Sequence, residues 1–153
     1  MSSPEARLKE LGISLPTPPA PVASYVPFVA SGKQIFISGQ VTLAPDGLKY
    51  VGVVGKDLSV EEGKAAARLC AINLIAQLKA ALGDLGRVRR ILKLTVFVNA
   101  VPGFAQQPEV ANGASDLLAE IFGENGKHAR SAVGAGSLPR NVATEVEAIV
   151  EVA

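Results

Sequence analysis

The sequence predicts an α+β fold in which one mixed β-sheet carries two main helices on the same face. Two segments, about 60–82 and 108–122, have apolar residues at helical spacing, and shorter segments around them alternate apolar with polar residues. Right-handed strand–helix–strand connections place successive helices on one side of a sheet. In a chain of 153 residues the other side is then uncovered, and a neighbouring copy of the chain is its simplest cover.

The whole chain, 1–153, is expected to form a single domain with a core over 22–153. Residues 1–21 predict a short helix followed by an extended arm. Ser3 and Pro4 are typical of a helix N-terminus, and four prolines further along this segment exclude regular pairing. We expect the arm to lie over the domain or over a neighbouring subunit.

The core begins with a predicted hairpin, with strands near 22–30 and 34–42, followed by a loop over 42–56 with a short strand near 50–54. Pro27 indicates that the first strand is an edge strand or contains a bulge. The alternation in the second strand assigns to one face Ile35, Ile37, Gly39 and Val41, and to the other Gln34, Phe36, Ser38 and Gln40.

Clear signals bound the helices. Ser59 and Glu62 form a capping box before the first main helix, and glycines follow it. The remaining strands are predicted near 91–98, 129–135 and 145–152.

Composition excludes several classes of function. Fifteen basic residues against 14 acidic ones give a formal charge of +1, so nucleic acid is a disfavoured partner and anionic membranes exert no broad attraction. Charges interrupt every apolar run that approaches the length of a membrane span, and no signal peptide is recognisable, so a cytoplasmic location is expected. One cysteine, Cys70, and one histidine, His128, disfavour a disulfide or a metal site, and no cofactor is expected.

Several motifs follow one another over residues 22–153. They are Ile37-Ser38-Gly39-Gln40-Val41, Thr95-Val96-Phe97-Val98, Phe104, Asn112, Phe122, Ala129-Arg130-Ser131, Leu138-Pro139 and Glu145-Val146-Glu147-Ala148-Ile149. The ordered set resembles the reactive intermediate deaminase (Rid, YjgF-type) family, and the arm resembles a longer subgroup also labelled endoribonuclease L-PSP-like. The resemblance implies a chorismate-mutase-like fold, a homotrimer with ligand clefts between subunits, and hydrolysis of small enamine or imine acids, such as 2-aminoacrylate, to 2-keto acids and ammonia.

The resemblance also implies the site residues. Arg130 would anchor the carboxylate of a small ligand, a task that suits its planar guanidinium, and Glu145 would orient water or move a proton. Tyr25, Gly39 and Asn112 would bind substrate. Ala132 stands where the family usually has a cysteine, which excludes thiol chemistry at that position.

Other interpretations stay open at this stage. The same cleft could belong to a non-catalytic module that binds a small carboxylate, since Arg130 would serve either purpose. The endoribonuclease label is disfavoured because the basic cluster of Arg87, Arg89 and Arg90 lacks interleaved aromatic residues for base stacking. His128, next to Arg130 in sequence, is expected to be a solvent-exposed loop residue.

Overall fold

The computed structural model describes residues 2–19 and 24–153. Within them an N-terminal helix precedes a core of strands and two long helices, joined by loops and short 3₁₀ turns. The elements in chain order are α1 (Pro4–Glu10), β1 (Phe28–Ser31), β2 (Gln34–Gln40), β3 (Leu43–Ala44), β4 (Gly47–Leu48), α2 (Val60–Leu82), β5 (Val88–Asn99), α3 (Gln107–Phe122), β6 (Ala129–Ala135) and β7 (Thr144–Val152).

The main sheet has five strands in the order β1-β2-β7-β5-β6. Strands β5 and β6 are parallel, and the other neighbours are antiparallel, so the predicted mixed sheet is confirmed. Helices α2 and α3 pack against each other and against the sheet. Strands β3 and β4 form a separate small hairpin.

Helix α2 begins and ends where the sequence indicated. Ser59 Oγ accepts from the backbone N–H of Glu62 at 3.1 Å, and the Glu62 carboxylate accepts from the backbone N–H of Ser59 at 3.0 Å. Gly83 ends the helix with φ of 76°. By length and composition α2 could cross a membrane, but 56% of its most apolar window is buried, as in the core helix of a folded domain.

One face of the sheet packs on the helices. Within the described residues no helix covers the opposite face of the sheet, which we call the open face. On β7 the burial alternates: Val146, Val150 and Val152 are buried on the helix side, while Glu147 and Glu151 are exposed. The open face also carries apolar groups. Its large exposed hydrophobic side chains are Val29, Phe36 and Val133.

The predicted hairpin differs from the structure in two respects. Strand β1 begins at Phe28 rather than near residue 22, and residues 22 and 23 lie outside the described part of the chain. The pairing of β2 with β7 shifts register between Ile37 and Gln40. Because an extra residue in a bulge reverses the alternation, Gln40 lies on the helix side and the prediction for Gly39 and Gln40 is wrong.

Two further predictions are corrected. No regular strand forms near 50–54, where Val51 and Val54 make only isolated bridges. Tyr50 has φ of 51° and Gly52 has φ of 144°, which interrupts extended pairing. Strand β5 starts at Val88 rather than at 91 and is irregular near Leu92, so Leu92 is only half-buried.

Candidate active site

Arg130 lies on β6, the edge strand beside β5. It pairs in parallel register with the buried Leu94, so its side chain emerges on the helix side of the sheet. Its Nη1 donates to Asn112 Oδ1 at 2.8 Å and to Ser115 Oγ at 3.1 Å. Over residues 2–19 and 24–153, no carboxylate lies within 4.0 Å of this guanidinium. Helix α3 therefore holds one nitrogen of the Arg130 guanidinium in place. No carboxylate of the described chain compensates the positive charge of this guanidinium.

His128 extends this hydrogen-bonded group. Its Nδ1 is 2.6 Å from the carbonyl oxygen of Gly126, which can only accept, so Nδ1 carries the proton. Its Nε2 then accepts from the Ser115 hydroxyl at 2.9 Å, and that hydroxyl in turn accepts from Arg130. Burial, and then the positive charges of Arg130 and Arg90, lower the pKa of the imidazole. His128 lies in a loop as expected, but the expectation that it is solvent-exposed is wrong, since it is half-buried and bonded at both nitrogens.

Glu145 lies at the start of β7 on the open face, opposite Phe97 of β5. Its carboxylate sits directly over Gly39: a methyl group added at Gly39 would lie 2.1 Å from Glu145 Oε2. Burial, and then the neighbouring charge of Glu147, raise the pKa of this carboxyl. A carboxyl with a raised pKa is a better proton acceptor than an ordinary surface glutamate.

A cavity of about 550 Å³ opens between the proline-rich arm, strand β2 and helix α2. We call it the arm pocket and define it by Pro18, Tyr25, Gly39, Asn73, Gln77 and Arg140, which all line it. Tyr25 is 63% exposed and lies at the rim. The described part of the arm thus lies over its own domain.

The structure divides the predicted site residues into two groups. Tyr25 and Gly39 share the arm pocket with Glu145 against Gly39, whereas Asn112 holds Arg130. Within one chain the two groups do not meet. Strand β5 separates β6 from β7, and the side chains of Arg130 and Glu145 emerge on opposite faces of the sheet.

Four residues near these groups were missed at the level of sequence. Ser115 follows Asn112 by three positions and therefore shares its helix face, which was a usable signal. Asn73 and Gln77 are amides four positions apart among the otherwise apolar buried positions of α2, which was another signal. Arg140 gave no signal, and it lies in a turn with φ of 55°.

Thiol and nucleic-acid chemistry find little support in the geometry. Cys70 is fully buried in α2, and burial raises the pKa of its thiol to about 12. Two members of the basic cluster bind backbone carbonyls: Arg87 donates to Ala153 at 3.1 Å, and Arg90 donates to Lys127 at 2.9 Å.

The mixed sheet with two helices on one face is shared with a family of known proteins. A family model described as "YjgF/chorismate mutase-like, putative endoribonuclease" matches residues 5–152. The chain therefore belongs to the YjgF/RutC family, also called Rid, and the resemblance stated from its motifs is confirmed.

Individual relatives agree with this assignment. Protein TCP17 of Trypanosoma cruzi is 52% identical over 147 residues, covering 95% of this chain and 92% of the relative. The 2-iminobutanoate/2-iminopropanoate deaminase of Salmonella typhimurium is 32% identical over 133 residues, covering 86% and 89%.

Solved structures show the same fold over nearly the whole chain. A protein of unknown function from Agrobacterium tumefaciens superposes with a TM-score of 0.90 at 49% identity, covering 97% of this chain and 91% of the other. A crystal structure from Shewanella oneidensis described as "a putative endoribonuclease" has a TM-score of 0.95 at 39% identity, covering 99% of this chain and 100% of the other.

Proposed function

We propose that the protein hydrolyses small reactive imine or enamine acids to 2-keto acids and ammonia, in homotrimers whose sites lie between subunits. The observation that carries the proposal is the guanidinium of Arg130, which α3 holds in place while no carboxylate of the described chain neutralises it. The relationship to a deaminase of 2-imino acids supports the same class of reaction.

Arg130 would bind the substrate carboxylate. Asn112 and Ser115 both accept from Nη1, so Nε and Nη2 can face a ligand. Two parallel charge-assisted hydrogen bonds would fix the orientation of a planar acid, and a preorganised arginine loses little side-chain entropy on binding it.

Glu145 would act on water. Its carboxylate would take a proton from the attacking water as the new carbon–oxygen bond forms at the imine carbon. It would then return that proton to nitrogen. As the carbon–nitrogen bond breaks and the carbonyl forms, the carboxylate would take the remaining hydroxyl proton and pass it to the departing ammonia, so that the protonated imine acid and water yield a 2-keto acid and ammonium. An enamine would first gain a proton at carbon to become the imine. Such positioned acid–base groups contribute about 10² to 10⁴-fold to a rate.

A complete site requires more than one copy of the chain. Arg130 and Glu145 leave the sheet on opposite faces, so one copy would supply Arg130 and a neighbour would supply Glu145, Gly39 and Tyr25. The apolar groups exposed on the open face, Phe36 and Val133 among them, provide a surface for association.

The test is the hydrolysis of 2-aminoacrylate generated in situ, followed through the release of pyruvate. We expect Arg130→Gln to lower kcat/KM by roughly tenfold or more, the value of a lost charged hydrogen bond. Arg90→Gln is the matched control, because Arg90 also loses a hydrogen bond, to the backbone carbonyl of Lys127 before β6, but belongs to neither group. If the wild-type protein binds pyruvate but does not accelerate the hydrolysis of 2-aminoacrylate, the protein is a carboxylate-binding module and not an enzyme.

A further inference from the structure

The two acceptors that hold Arg130 differ in chemistry. Nη1 of this arginine carries two hydrogens, and its bonds to Asn112 Oδ1 and Ser115 Oγ use both of them. An amide oxygen can only accept, so the Asn112 oxygen needs no further partner to serve as an acceptor. A hydroxyl can donate or accept, and its lone pairs face a donor only when its single hydrogen points elsewhere. Whatever fixes the hydrogen of Ser115 therefore decides whether this hydroxyl holds Arg130.

Ser115 has a competing partner on its own helix. It lies in the interior of α3, where a serine can donate to the backbone carbonyl four positions earlier, which here belongs to Ala111. That bond would draw the hydroxyl to the helix backbone and away from Arg130. Among the described residues the Ser115 hydroxyl instead has two partners, His128 Nε2 at 2.9 Å and Arg130 Nη1 at 3.1 Å. His128 is the partner that takes its hydrogen.

His128 presents Nε2 to Ser115 from a fixed place. Its Nδ1 donates to the carbonyl oxygen of Gly126 at 2.6 Å, in the turn that joins α3 to β6. Gly126 is buried against α3, where a methyl group added to it would lie 2.1 Å from the backbone oxygen of Leu118. The turn therefore packs closely on the helix that carries Ser115, and the imidazole is held between the two.

We propose that His128 is a positioning residue for the carboxylate anchor: it takes the hydrogen of Ser115, so that the Ser115 oxygen holds Arg130 with Nε and Nη2 free for the acid. Within the described chain the imidazole makes no hydrogen bond to the guanidinium, so it acts through Ser115. The inference rests on the proposed function, because it assigns Arg130 to the carboxylate of an imine acid. A guanidinium that is ordered before the acid arrives loses less entropy on binding it.

Two replacements of His128 separate its two hydrogen bonds. His128→Asn carries an amide nitrogen at the place of Nδ1, so it keeps a donor for Gly126, but its shorter side chain brings no acceptor to Ser115. His128→Gln carries an amide oxygen near the place of Nε2, so it keeps an acceptor for Ser115. Arg90→Gln is the matched control, because it removes a bond to the carbonyl of Lys127 in the same connection and does not involve Ser115.

The measured quantity is the dissociation constant of pyruvate, the keto-acid product of 2-aminoacrylate, from an NMR titration of the backbone amide signals. We expect His128→Asn to weaken pyruvate binding by about fivefold, the value of one net hydrogen bond. His128→Gln and Arg90→Gln should stay within about twofold of the wild-type constant, since neither removes the acceptor of Ser115. Equal weakening in the Asn and Gln variants, or none in either, would overturn the inference. His128→Leu, which also lacks the acceptor, replaces the Asn variant if that variant does not fold.

A double-mutant cycle tests the path through Ser115. Ser115→Ala removes the oxygen that connects His128 to Arg130, and it should weaken pyruvate binding at least as much as His128→Asn does. Adding His128→Asn to Ser115→Ala should then change the dissociation constant by less than about twofold, because the histidine has lost the group on which it acts. Factors that multiply in the double variant would show that His128 affects the ligand by another path, and the inference would be refuted.

Binding and turnover separate the inference from the proposed function. Pyruvate binding that His128→Asn weakens, in a protein that does not accelerate the hydrolysis of 2-aminoacrylate, would uphold the positioning of Arg130 and refute the deaminase. An active deaminase in which Arg130→Gln weakens pyruvate binding and His128→Asn does not would refute the positioning and leave the deaminase in place. A wild-type protein that binds no pyruvate would refute the role of Arg130 as a carboxylate anchor and, with it, the role of His128.

Discussion

At the residue scale, the position of the Glu145 carboxylate depends on the absence of a side chain at Gly39. The register shift in β2 turns Gly39 towards the open face, where Glu145 Oε2 occupies the space that a methyl group would need. A side chain at this position would collide with the far end of a glutamate, which can move. The substitution would therefore disturb the geometry of the site more than the stability of the fold.

Gly39→Ala tests this dependence. We expect kcat/KM for imine hydrolysis to fall by roughly 10²-fold, because displacing a catalytic group by about 1 Å can cost that much. The free energy of unfolding should change by less than about 1 kcal/mol, since a side-chain end rather than backbone must shift. Gly136→Ala, with open space around it, is the control for both measurements. Full activity in Gly39→Ala would mean that the carboxylate acts from another position.

His128 allows a direct measurement, because the chain contains one histidine. Burial and then the charge of Arg130 lower its pKa below the ordinary value of 6.5. The folded state therefore binds this proton less readily than the unfolded chain. The resulting stability is present above about pH 6.5 and is lost as the pH falls through the lower folded value.

An NMR titration of this imidazole should give a pKa below 6.5, and Arg130→Gln should raise it by removing a repulsive charge. The free energy of unfolding should fall between about pH 7.5 and 5.5, and part of that fall should disappear in His128→Gln. A wild-type pKa at or above 6.5 would contradict the lowering that burial and the charge of Arg130 are expected to cause.

At the scale of elements, sequence reasoning succeeded where one physical signal dominated. The capping box at Ser59 located α2, and strict alternation located β7. It failed where tertiary pairing overrode the local pattern, as in the bulge before Gln40. The same limit applies to the site: motifs identified Arg130, but the face of the sheet on which it emerges follows from its register with β5.

The contact between α2 and α3 depends on Gly113. A methyl group there would lie 2.0 Å from the backbone oxygen of Lys64, so the two helices could not stay at their present separation. Gly113→Ala should lower the free energy of unfolding by about 1–3 kcal/mol, although the same change in an open helix is favourable. Gly63→Ala, which meets the movable side chain of Val110 at 3.1 Å, should cost less. Chemical denaturation measures both, and a neutral Gly113→Ala would show that the helices separate easily.

At the scale of the whole molecule, the division of the site between two faces of one sheet distinguishes a site within a chain from a site between chains. Arg130→Ala removes only the carboxylate anchor, and Glu145→Gln removes only the proton acceptor. If each site combines Arg130 of one copy with Glu145 of its neighbour, a mixed assembly contains sites in which both residues are intact. If both residues acted within one chain, every site in every mixture would lack one of them.

The two variants should therefore be inactive alone and regain activity when they are unfolded together and refolded as a mixture. In a ring closed by head-to-tail contacts, random mixing leaves about a quarter of the sites with both residues intact, so about a quarter of the wild-type rate should return. The double variant Arg130→Ala with Glu145→Gln, mixed with either single variant, is the control, because no pairing of those chains restores a complete site. Light scattering on the mixture establishes that the copies have reassembled. Reassembled mixtures that stay inactive would show that no site combines Arg130 of one copy with Glu145 of another, and the site between subunits would have to be abandoned.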